Sequence, residues 1–125
     1  MLCMATPDPS VQQDAPDALA LHLQEVRRGT VVLACLVACR RPQYGYALLE
    51  TLAEAGIQVE ANTLYPLLRR LDKQGLLTAE WNTDEPRPRK YYTLTDAGSR
   101  VADELRTEWL ALTASLTDLW KDSTP

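Results

Sequence analysis

The sequence predicts a mainly α-helical fold with one small β hairpin, in the order four helices, hairpin, long helix. Three observations carry this. Leucines recur at helical spacing through "NTLYPLLRRLDKQGLL", residues 62–77, with a Gly where the helix should stop. Two β-rich stretches, "LLTAEWN" and "RKYYTL", flank "TDEPRPR", the pattern of a hairpin with a proline-stiffened tip. Near the C-terminus Trp109, Leu112, Leu116 and Leu119 are spaced three, four, three, preceded by Val101 and Leu105, which is a seam of coiled-coil type.

The elements follow in order. Residues 1–16 hold Pro7, Pro9 and Pro16 and no period, and predict a disordered tail. Asp17 caps a first helix over 18–28, with Leu19, Leu23 and Val26 on one face. Gly29 is expected to break it, and Thr30 to cap a second helix running to Cys39, apolar nearly all round and so buried. "RRPQ" reads as a turn. A third helix is expected from Gly45 to Ala55, with Tyr46, Leu48, Leu49 and Leu52 inward and Gly56 as its stop. After the extended link "IQVE", a fourth helix runs from Ala61 to Gln74, with Pro66 in an early turn and Gly75 as its stop. Thr95 starts the last helix, which reaches Lys121. Three compact helices followed at once by a hairpin make a winged helix-turn-helix. The expected organisation is therefore a tail over 1–16, a winged-helix domain with its N-terminal helix over 17–94, and a C-terminal helix over 95–121.

Composition narrows the class. A chain of 125 residues holds one domain with one modest core. Its longest apolar run, "VVLACLVAC" at 31–39, is far short of the roughly 20 residues of a membrane helix, so no membrane association is expected. No basic start leads into a long apolar core, so no signal peptide is expected. Three cysteines leave one over from any pairing and fit a reducing cytoplasm.

Charge is uneven. Residues 1–61 carry four Lys/Arg and seven Asp/Glu; residues 93–125 carry three and six. Residues 62–92 reverse the balance, with Arg69, Arg70, Lys73, Arg87, Arg89 and Lys90 against Asp72, Glu80, Asp84 and Glu85. Net charge is −4, yet the middle segment is +2. A polyanion responds to local potential within about 10 Å at moderate salt, so such an island can work on an acidic chain.

On a helical wheel Leu64, Leu67, Leu68 and Leu71 share one face of the fourth helix. Asn62, Arg69 and Lys73 lie opposite, flanked by Tyr65 and Arg70, with Thr63 near the N-terminus. An α-helix fits the major groove of B-DNA, where Asn and Arg bond base edges, while Thr, Tyr and Lys more often hold phosphates. The plain alternative is a solvated polar face. Against it stands the company of the hairpin tip, where "RPRK" puts Arg87, Arg89 and Lys90 in one short loop stiffened by Pro86 and Pro88. Helix and wing together would give a major-groove contact and one along the adjacent backbone.

At these residues the chain resembles a known family. "RRGTVVLACL", "YGYALLETL", "NTLYPLLRRLDKQGLLTAEW" and "RPRKYYTLTDAG" together resemble the PadR family of bacterial transcriptional regulators, over about residues 26–100. The resemblance implies a winged-helix domain, homodimerisation, and repression by binding double-stranded DNA at an operator. It places DNA contacts on the helix bearing Thr63, Tyr65, Arg69 and Arg70 and on the wing bearing Arg87 and Arg89. The single C-terminal helix is similar to the short-tailed branch, which implies a dimer interface of that helix with the N-terminal one, here Leu19, Leu23, Leu105, Trp109, Leu112, Leu116 and Leu119. Residues 1–16 exceed what the pattern requires, and "EAN" stands where the family carries a small or proline residue. Some short-tailed relatives place a Trp in a flat pocket between subunits that takes planar aromatic small molecules. That makes Trp109 a ligand-binding candidate, with packing in the dimer seam as the alternative. The rival to a DNA-binding repressor is a winged-helix protein-interaction adaptor, favoured by the acidic total charge.

Other chemistry is sparse. Cys35 and Cys39 lie four apart on one helical face, but His22 is the only histidine, so no metal site is expected and small core residues are the simplest reading. Redox sensing is the alternative for the two thiols. Trp81, at a strand end, is expected to brace the wing, and Trp120 to pack. No nucleophile–base set, paired catalytic carboxylates or phosphate-binding glycine loop is present, so neither an enzyme nor a cofactor is expected.

Overall fold

The computed structural model describes the backbone of residues 9–123 and the side chains of residues 17–123. By its contacts the chain divides into two units, one ending at Thr30 and the other starting at Val31.

The described part of the first unit is helical. Helix α1 spans Pro9–Ala38 without interruption, which corrects two expectations. Residues 9–16, read as tail, belong to α1, so Asp17 lies inside the helix rather than capping it, whereas residues 1–8 lie outside the described residues. Pro9 stands at the first helical position, where its missing N–H costs nothing. Nor does Gly29 divide the helix. A glycine keeps its backbone N–H and costs only about 1 kcal/mol against alanine in a helix interior. Thr30 does not cap a new helix; its hydroxyl donates back to the Arg27 carbonyl at 2.7 Å, a bond made inside a continuing one.

The second unit holds the core. The last turns of α1 bring in Val31, Cys35 and Leu36, with Cys39 just beyond the helix. Strand β1 (Gln43–Tyr44) leads into α2 (Gly45–Glu54), which buries Leu48 and Leu52. Helix α3 (Ala61–Lys73) buries Leu64, Leu67, Leu68 and Leu71, the face expected from their spacing. Strands β2 (Leu77–Asn82) and β3 (Arg89–Leu94) close the core with Leu77 and Tyr92, and α4 (Asp96–Asp122) adds Ala102. This is the expected winged helix-turn-helix order.

Glycines end both middle helices. Gly56 and Gly75 have φ of 86° and 77°, and the residue after each donates back across the helix end, Ile57 to the Leu52 carbonyl at 2.8 Å and Leu76 to that of Leu71 at 3.0 Å. Six-to-one closures of this kind need a left-handed residue, which glycine enters without a Cβ penalty. Pro66 sits inside α3 and has no N–H for the Asn62 carbonyl, but Asn62 is exposed and water can take that place. At the start of α4 the Thr95 hydroxyl accepts from the Gly98 N–H at 2.9 Å and donates to the Gly75 carbonyl at 2.6 Å, so one cap ties α4 to the end of α3.

The sheet has three antiparallel strands rather than two, in the order β1–β3–β2. Gln43, expected to end the turn "RRPQ", and Tyr44, expected in no element, pair with Tyr92 and Tyr91. Two residues carry no alternation to read.

Candidate nucleic-acid interface

Burial of its four leucines fixes which side of α3 faces solvent. Asn62, Thr63, Arg69, Arg70 and Lys73 are exposed on it. Tyr65 is half-buried, and its ring lies over the first residue of α2: a Cβ on Gly45 would stand 2.6 Å from Tyr65 Cε1. The N-terminal half of α3 is thereby seated on the start of α2. Farther along, Asp72, Arg69 and Tyr65 all act on Tyr92 of β3. Burial pushes the Tyr92 phenol up, Asp72 adds to this, Arg69 opposes it and Tyr65 adds a smaller increment. Among the described residues no carboxylate lies within ion-pair distance of Arg69, Arg70, Lys73 or Arg87.

The wing cations do not act together. Arg89 and Lys90 are successive strand residues and so point to opposite faces of the sheet. Lys90, paired in register with Trp81, turns to the core side; its Nζ lies 5.8 Å from the Tyr92 ring centroid and 6.0 Å from that of Trp81. Trp81 itself is exposed, at the free end of an edge strand and beyond the reach of the core, and it meets the wing through Lys90. Arg89 turns the other way. One terminal N–H donates to the Tyr46 hydroxyl at 2.6 Å, its guanidinium lies 5.0 Å over the Tyr46 ring, and its Nε is 3.4 Å from a Glu85 carboxylate oxygen. Arg87 lies in the exposed tip between the strands.

Tyr46 was expected inward and is instead half exposed. Its helical position is apolar in pattern, but the phenol carries a hydroxyl that keeps a polar partner. The ring stacks on Tyr44 at 5.8 Å and 18°. Tyr44 accepts a hydrogen bond from Asn82 at 2.7 Å and meets Tyr91 edge-on at 6.1 Å. Tyr91 donates to Glu80 at 2.8 Å, and that bond pushes its phenol up. Tyr44, Tyr46, Asn82, Tyr91 and Glu80 thus form a polar-aromatic band, and through Arg89 it anchors the wing to the first turn of α2. Spacing alone did not reveal it, because its members lie on four elements. Gly45 and Tyr46 are adjacent, so the seat of Tyr65 and the anchor of Arg89 are neighbouring residues.

The other candidates lie elsewhere. Trp109 is 47% exposed, and Leu105, Leu112, Leu116 and Leu119 are also open along α4. Leu19 and Leu23 are exposed on α1 in the first unit. Cys35 and Cys39 are fully buried in the core, as expected, and burial pushes both thiols up to about 12. Among the described residues no group of three His, Cys, Asp or Glu is placed to hold a metal ion, and no helix is long and apolar enough to cross a membrane.

Residues 32–104 match the transcriptional regulator PadR-like family. A PadR family transcriptional regulator from Eggerthella lenta DSM 2243 is 46% identical over 86% of this chain and 96% of its own, with a TM-score of 0.80. A PadR-like transcription factor from Bacteroides fragilis is 33% identical over 77% of this chain and 95% of its own, with a TM-score of 0.66. The transcriptional regulator Rv3488 of Mycobacterium tuberculosis is 35% identical over 85 residues, 67% of this chain and 79% of that protein. With a winged helix-turn-helix fold and a family match across more than half of its length, this chain belongs to the PadR-like family of transcriptional regulators.

Proposed function

We propose that this regulator is a cytoplasmic homodimeric repressor that binds a pseudo-palindromic operator in double-stranded DNA. The observation that carries the reading is the exposed, unmasked set Arg69, Arg70 and Lys73 on a helix whose opposite face is locked into the core. In this reading Asn62 and Arg69 meet base edges, while Thr63, Tyr65, Arg70 and Lys73 hold the backbone. Arg87 and Arg89 extend the contact from the wing, while Lys90, over Trp81 and Tyr92 on the other sheet face, adds only its charge to the local potential. Dimerisation through Leu105, Trp109, Leu112, Leu116 and Leu119, with Leu19 and Leu23, would set two α3 helices about 34 Å apart for adjacent major grooves. Trp109 is the proposed site for a planar aromatic ligand that releases the DNA, testable by quenching of its fluorescence with planar aromatic drugs.

A gel shift with the DNA upstream of its own gene tests DNA binding. Arg69→Ala is expected to cost about 1–3 kcal/mol of specific affinity, roughly fivefold to 150-fold. Unchanged affinity in an Arg69→Ala/Arg89→Ala double variant refutes the assignment. The adaptor reading draws support from the net charge of −4, and it gains if no fragment shifts.

A further inference from the structure

On the DNA-binding reading proposed above, we infer that Glu85 is an internal stand-in for a DNA phosphate on Arg89, so that wing docking exchanges one anion for another on a guanidinium already fixed in place by Tyr46. The two sides of Arg89 differ in kind. On the Tyr46 side a 2.6 Å hydrogen bond and a ring 5.0 Å below the guanidinium hold it, and that ring is itself stacked on Tyr44. On the other side stands a single carboxylate oxygen, 3.4 Å from Nε, with both side chains nearly half exposed. A long, one-oxygen, solvent-screened pair is weak and readily exchanged. The forked donors of arginine accept carboxylate and phosphate alike, so removing Glu85 leaves a cradle suited to a phosphate oxygen. Arg87, in the same tip, has no such partner among the described residues, so the masking is particular to Arg89.

The exchange has a thermodynamic signature. Each phosphate neutralised by a free cation releases about 0.9 of a bound counterion. Where Arg89 must first let go of Glu85, the freed carboxylate takes up a cation, and that release is largely cancelled. Binding of a fluorescent duplex from the region upstream of the gene, followed by anisotropy over a range of KCl concentrations, reads both affinity and salt slope. Glu85→Gln is expected to tighten binding about two- to fivefold, the weight of an exposed ion pair, and to steepen the plot of log K against log salt by up to about one. In the Arg89→Ala background the same substitution should change affinity by less than about 1.5-fold, because its partner is gone. Equal tightening in both backgrounds, or none in either, overturns the inference alone. Failure of the unsubstituted chain to bind any duplex overturns it together with the DNA-binding reading.

Discussion

Replacing Gly98 with alanine should loosen the joint between the winged-helix core and α4. A Cβ there would collide with the Leu76 carbonyl oxygen, lie 3.0 Å from its carbon and stand 2.6 Å from Leu94 Cδ1, where ordinary contact begins near 3.4 Å. The leucine side chain can turn aside. The Leu76 carbonyl cannot, because it accepts the Thr95 N–H at 3.1 Å while the Leu76 N–H closes the end of α3. Either the clash is kept, at the roughly 1–3 kcal/mol of an overpacked site, or the first turn of α4 lifts. Lifting gives up the bonds from Thr95 to Leu76 and Gly75, at about 0.5–1.5 kcal/mol each. Alanine returns up to about 1 kcal/mol through helix propensity, leaving a net loss of roughly 1–2 kcal/mol. Urea unfolding measures this, at one fixed protein concentration, since a dimer would make stability depend on it. Gly29→Ala is the internal control: nothing lies within 4 Å of the added methyl, so the same propensity gain should appear undiminished as a higher midpoint. A midpoint for Gly98→Ala at or above that of the unsubstituted protein refutes the collision.

Leu112→Asp or Leu116→Asp should give monomers by light scattering if the open seam of α4 is the dimer interface; persistence of dimers moves the interface elsewhere. The buried thiols make a pH prediction. In the folded chain burial lifts Cys35 and Cys39 from an ordinary 9.0 to about 12, so the native state holds these protons more tightly. The stability this confers is complete below pH 9 and is lost as pH rises through about 12. Urea midpoints should therefore fall above pH 9, and less steeply in a Cys35→Ala/Cys39→Ala variant. At pH 8, iodoacetamide followed by mass spectrometry should label these two residues only in denaturant; labelling of the native chain would show the helix opening.

The helices were legible wherever period and punctuation agreed. Four leucines at helical spacing placed the buried face of α3, Gly56 and Gly75 supplied the left-handed turns that stop two helices, and Thr95 supplied the cap of α4. Gly29 misled because a glycine stops a helix only when the chain must turn with positive φ; in an exposed helix interior it is a small cost that its apolar neighbours overcome. Strand β1 was invisible for another reason. Its pairing with β3 is a long-range fact, set by where Tyr91 and Tyr92 lie, and two residues hold too little pattern to announce it. Tyr46 failed as a core residue because a phenol counts as apolar in a periodicity but behaves as a polar group once a guanidinium is in reach.

The candidate site was half legible: the cations could be counted along the chain, but their availability could not. Of the six in residues 62–92, Arg89 is engaged by Glu85 and Tyr46, and Lys90 leans over Trp81 and Tyr92. On the DNA-binding reading the free charge resides on α3 and at Arg87, so specificity should fall more heavily on Arg69 than on the wing, and the salt dependence should be shallower than six cations suggest. The acidic excess of the chain opposes this less than its total implies. Helix α4 starts beside the end of α3 and rises about 1.5 Å per residue, so Asp118 lies about 33 Å along the rod from Asp96. That is some three Debye lengths at moderate salt, too far for the distal acids Asp118 and Asp122 to cancel the field around Arg69. The net charge of −4 is thus a property of the whole chain that a phosphate docking at α3 would not feel in full, and raising the ionic strength should weaken the helix contact without ever making the acidic rod matter more.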